Sequence, residues 1–91
     1  MKFTNHTLKK VETLFKEVGY TVRYGKGNFQ AGACILDGKD IVVVNRFFDT
    51  EARINALLDI LHQINYQPEN LSQSSQKLLA KIQLEIKSTD Q

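Results

Sequence analysis

The side chains in this 91-residue sequence best suited to chemistry are His62, Asp59 and Cys34. An imidazole can ligate a metal or move a proton near neutral pH, a carboxylate can act as base, and a thiolate can attack. Asp59 and His62 are three residues apart, so on a helix they can hydrogen-bond, which is also what an ordinary wet helix surface shows. Cys34 lies between Ala33 and Ile35 in a strand-like stretch, where a lone thiol serves as a small apolar filler. The three make a tentative pocket. A zinc site needs at least three good protein ligands. Beyond His62 the chain offers only a distant His6, with Cys34, Glu69 and Glu85 as further donors. The sequence therefore assigns no catalytic residue, no metal ligand and no cofactor.

The elements that must position these groups are well punctuated. Thr4 is a helix N-cap, with Phe3 placed to pack on Leu8 as a hydrophobic staple. Leu8, Val11, Phe15 and Val18 recur at helical spacing, Leu14 widens the stripe, and Gly19 ends it. Tyr20, Val22 and Tyr24 alternate with Thr21 and Arg23 as a strand with one buried face. Gly25-Lys26-Gly27-Asn28 reads as a hairpin connection, and Phe29 to Leu36 as the second strand. Asp37-Gly38 is a two-residue turn signal before a third strand, Ile41 to Val44. Asp49 or Thr50 caps a second helix that reaches Tyr66, with Ile54, Leu57, Leu58, Leu61 and Ile64 on one face. Pro68-Glu69-Asn70 breaks the chain. A third helix from about Leu71 carries Leu78, Leu79, Ile82 and Ile86. The expected fold is a single α+β domain over residues 1–91, with 88–91 fraying. A small antiparallel three-stranded sheet packs against helices in the order α-β-β-β-α-α.

The segment from residues 31 to 66 resembles the small zincins of the ImmA/IrrE type, intracellular peptidases associated with repressor control. Those share a strand ending in an Asn, as in Val43-Val44-Asn45, followed shortly by the active-site helix, here after Glu51-Ala52-Arg53. In zincins two histidines four residues apart hold the metal, and a glutamate beside the first activates its water. The matching positions here are Leu58, Asp59 and His62. Leucine cannot bind zinc, and Asp59 is one methylene short of the usual base. The resemblance implies a zincin-like chain without its metal site.

Composition narrows the classes. Hydrophobic residues at 42% and charged residues at 24% are ordinary globular values. A net charge of +2 names no partner. Arg23, Lys26, Lys39 and Arg46, with Tyr20, Tyr24 and Phe29, could form a basic aromatic face. Asp37 and Asp40 interrupt it, so nucleic acid is not the expected partner. The Gly25–Asn28 loop leads into a strand, unlike a phosphate loop, which opens a helix. On the third helix Lys77 and Lys81 adjoin, with Lys81 and Glu85 spaced as a surface pair. The aliphatic run Ile41–Val44 is far too short to span a bilayer, and the first residues carry no apolar leader segment. With one unpaired cysteine, the chain is read as cytoplasmic.

The third strand raises a question of its own. It is apolar on both sides of its pleat, so it is either central or covered by another chain. The second alternative makes Ile41, Val42, Val43, Val44 and Phe47 a tentative dimer surface. The expected function is a non-catalytic protein-interaction module, forming a homodimer. The alternatives are a metal-dependent hydrolase with an incomplete zincin-like site, a thiol enzyme, or a weak nucleic-acid binding module.

Overall fold

A computed structural model of the chain describes residues 2–26, 31–64 and 66–89, the last segment as backbone only beyond Ile82. Gly27, Asn28 and Phe29 of the expected loop and strand lie outside the described residues, as do the side chains of Glu85 and Ile86. Helix α1 runs Asn5–Glu17, strands β1, β2 and β3 run Thr21–Gly25, Ala31–Leu36 and Lys39–Asn45, and α2 runs Thr50–Leu61. A 3-10 turn at Pro68–Asn70 precedes α3, Gln73–Thr89.

Local signals act where they were expected. The Thr4 side chain accepts the Thr7 N–H at 3.2 Å to cap α1. At the other end Gly19, with φ +94, reverses the chain. The Tyr20 N–H donates to the Phe15 carbonyl at 2.9 Å and the Gly19 N–H to that of Lys16 at 3.1 Å. These two bonds are a Schellman closure, and its usual apolar contact is present. The Phe15 and Tyr20 rings meet edge to face at 6.4 Å. Asp37 and Gly38, both with positive φ, form the tight turn between β2 and β3.

The sheet corrects the expected topology. It is mixed, in the spatial order β1-β3-β2, with β2 antiparallel to β3 and β1 parallel to it. The chain leaves β1 at Gly25, beside Asn45, and re-enters at Ala31 beside Val44 on the far side of β3. Crossing one strand means covering about 10 Å, well within the ~20 Å that the intervening chain can reach. The crossing places the doubly apolar strand at the centre. Ile41, Val42 and Val44 are buried there and Val43 is half-buried.

Val42 and Val44 turn to the helices and join a core with Val11, Leu14, Phe15, Ile54, Leu57, Leu71, Leu79 and Ile82. Ile41 and Val43 point to the other face, flanked by Thr21, Cys34, Arg23 and Gly32 on the neighbouring strands. The apolar character of β3 is thus met within one chain except at Val43, which stays half-buried on the face away from the helices.

Replacing Gly19 by Ala tests the Schellman closure. Nothing lies within 4 Å of the added Cβ, so only the left-handed backbone opposes it. A loss of about 1–2 kcal/mol in urea unfolding is expected, with an unchanged circular dichroism spectrum.

Candidate functional site

Helix α2 begins at Asp49, whose carboxylate accepts the Ala52 N–H at 2.8 Å. One turn on, the Arg53 guanidinium donates from Nε to the Phe48 carbonyl at 2.9 Å and from Nη2 to that of Arg46 at 2.8 Å. It also lies over the Tyr24 ring at 4.4 Å. The Tyr24 hydroxyl in turn donates to the Glu12 carboxylate. Burial, and then Glu12, push the Tyr24 phenol well above its usual range, with Arg53 opposing. This chain of contacts ties α1, β1 and the turn after β3 to α2. Tyr24 and Tyr20 are therefore engaged with the protein, and neither is offered for base stacking.

The expected helix to Tyr66 stops at Leu61, with His62 as its C-cap. The N–H of Gln63 turns back to Ile60 at 2.9 Å and tightens the end. Asp59 and His62 are exposed, Leu58 is half-buried, and Ile60 is buried. Cys34 is exposed as well. It pairs with Ile41 and so points away from the sheet face that Val42 and Val44 turn to α2. The sheet lies between Cys34 and the helix that carries Asp59 and His62, so the three do not share a pocket. Among the described residues no three His, Cys, Asp or Glu side chains gather as a metal site.

Two other regions are built more distinctly. The first is the free edge of β2. All of its residues beyond Ala31 are exposed, Ile35 at 74% and Leu36 at 50%. Its small side chains leave a shallow hollow of about 300 Å3 lined by Ala31, Gly32, Ala33, Cys34 and Val43. Phe47, beyond the end of β3, is 74% exposed with the Arg46 guanidinium 5.8 Å from its ring. Of the tentative dimer surface, Phe47 is open; Ile41, Val42 and Val44 are interior.

The second is a cleft of about 580 Å3 between α1 and α3, lined by His6, Lys9, Lys10, Thr13, Glu17, Ser72, Ser74, Ser75, Lys77, Leu78 and Lys81. Glu17, one of its lining residues, accepts from the Ser72 N–H at 2.8 Å and the Ser72 hydroxyl at 3.0 Å. Ser72 itself caps α3 by accepting the Ser75 N–H at 3.2 Å. The backbone bond from Ser72, joined by the hydroxyls of Ser72 and Ser75, holds the Glu17 carboxyl below its usual value against a partial desolvation.

No family model, curated protein or solved structure matches this chain.

The sequence pointed to neither region as a whole. Lys77 and Lys81 stood out only as neighbours on one helix. Their signal is completed by His6, Lys9, Lys10 and Thr13, which share one face of α1 at helical spacing. That face gains meaning only once α3 is packed beside it.

Two outcomes follow from this geometry. His62→Ala should change stability by less than about 0.5 kcal/mol, as for an exposed side chain without a built site, and equimolar zinc should leave the wild-type Tm unmoved. A zinc-dependent rise in Tm abolished by that substitution would contradict it. For Glu17, a lowered folded-state pKa means stability that is present above the unfolded carboxylate value and lost as pH falls through the folded one. Glu17→Gln should therefore be less stable than wild type at pH 7, and the gap in urea titrations should close as the pH falls below 4.

Proposed function

We propose that this chain is a non-catalytic protein-interaction module that works by adding a strand to the free edge of β2, and that its occupant is a second copy of the chain. The observation that carries this reading is the β2 edge itself. Exposed edge strands are normally blunted by charge, proline or a bulge. Ala31-Gly32-Ala33-Cys34-Ile35-Leu36 has none of these and is exposed along nearly its whole length.

Small residues fill the first part of β2 and large ones its end, a division that favours antiparallel self-pairing. A continuous antiparallel sheet across a two-fold axis normal to it pairs only residues from the same face. Centring that axis on Cys34 sets Gly32 opposite Leu36 of the second copy and Ala33 opposite its Ile35. Each large side chain then meets a small one. Leu36 of one copy falls beside the hollow that Gly32, Cys34 and Val43 leave on the other. The result is a six-stranded sheet with the helices of both copies on one side. Main-chain bonds supply the affinity of such an addition, and the side-chain fit supplies the register. Leucine at position 58, where a resemblance to zincins would place a metal ligand, accords with a chain that acts by contact.

The chain's single cysteine makes the register measurable. Directly opposed residues in antiparallel strands have Cα atoms about 4.5–5.5 Å apart, within the range a disulfide spans. Mild oxidation of the wild type should give a Cys34-linked dimer, and sedimentation should show a reversible dimer before oxidation. Ile35→Lys, at a position exposed enough to spare the fold, should abolish both. A wild type that stays monomeric at millimolar concentration would overturn the reading, as would a dimer indifferent to Ile35→Lys.

A further inference from the structure

The cleft between α1 and α3 is untouched by the β2 edge and carries its own signature. Lys9 and Lys10 come from one helix, Lys77 and Lys81 from the other, and His6 lies at the mouth. Among the described residues, four lysines thus line one cleft together with a single acid, Glu17. The whole protein is nearly neutral, so this is a concentration of charge and not a share of a general excess. Among the described residues none of the four lysines has a carboxylate within ion-pair distance. The one acid present, Glu17, is spent on the N-terminus of α3. Gathering four like charges around one cleft costs free energy through their mutual repulsion, and a bound anion would offset that cost.

The lining also says which anion. Among the described residues no aromatic side chain borders the cleft, so they offer no platform for stacking a base. Among the described residues no arginine borders it, so they offer no planar fork for a carboxylate; flexible ammonium groups act as point charges suited to phosphate. The Ser74 hydroxyl is exposed at the mouth and makes no hydrogen bond among the described residues. A cleft of about 580 Å3 has the size of small-molecule sites. From these features we infer that the α1–α3 cleft binds a ligand with two or more closely spaced phosphate groups, held between Lys9 and Lys10 on one wall and Lys77 and Lys81 on the other. Such phosphates can come from a free polyphosphorylated small molecule or from a nucleic-acid backbone.

The test is calorimetric titration of the full chain with inorganic tripolyphosphate, with inorganic phosphate for comparison. Saturable binding of tripolyphosphate, much weaker binding of phosphate, and affinity falling with salt are expected. Lys10→Glu and Lys77→Glu, one from each wall, should each weaken it about tenfold. Lys39→Glu makes the same change in net charge on the sheet and should leave it unaltered. Amide shifts in NMR spectra should centre on His6–Thr13 and Ser72–Lys81. A short DNA strand competing with tripolyphosphate at equal phosphate concentration would assign the source to a nucleic-acid backbone; failure to compete would assign it to a free phosphorylated molecule. The inference is overturned if tripolyphosphate does not bind saturably at low salt, or if Lys39→Glu weakens it as much as the cleft substitutions do.

Discussion

A strand that is apolar on both sides of its pleat needs a neighbour on each edge, and in this chain β3 is that strand. Ile41, Val42 and Val44 are all nearly inaccessible. Each aliphatic side chain removed from water contributes about 1.5–3 kcal/mol, a large part of the net stability of a domain this small. A simple meander would leave β3 at an edge and forfeit part of that burial. The parallel pairing of β1 with β3 avoids the loss by putting β1 and β2 on opposite edges of β3. The parallel ladder is sealed at the end of β3 by the Arg46 N–H, which donates to the Gly25 carbonyl at 3.0 Å. Arg53 then holds the same turn from α2.

Placing β3 at the centre decides what remains outside. β2 becomes an edge, yet its composition is that of an interior strand, small and apolar with no charged residue. The proposed interaction is the other half of the constraint that built the sheet: β3 is satisfied within one chain, and β2 is satisfied by a second. The helices, meanwhile, are joined by polar contacts at their ends. Glu17 caps α3 from α1, and the Thr50 hydroxyl donates to the Asn5 side chain at 2.9 Å. The Glu17 contact fixes α1 against α3 and so shapes the cationic cleft between them, while the Thr50 contact ties α2 to the start of α1.

What the sequence made legible was local. The Thr4 and Asp49 caps, the Gly19 stop and the Asp37-Gly38 turn are each specified by residues within a few positions of one another, and all are present. The choice between a central and a covered β3 was open because strand order depends on burial summed over the whole sheet. The expected antiparallel sheet rested on reading Gly25–Asn28 as a hairpin connection; glycine there permits a turn without dictating which strand it reaches. The end of α2 at Leu61 was missed because the apolar stripe continues through Ile64 after the helical bonds have ceased. The cleft lay beyond a linear reading for another reason. Its two walls are 55 residues or more apart in sequence, and a face of lysines on a single helix is ordinary.

The most direct test of the central claim is amide hydrogen exchange, followed residue by residue at low and at high protein concentration. Amides of β3 should be protected equally in both, since their partners lie within the chain. Those β2 amides that do not bond to β3 should exchange freely when dilute and become protected when concentrated. Concentration-independent exchange along all of β2, or protection of β3 that appears only at high concentration, would contradict the account.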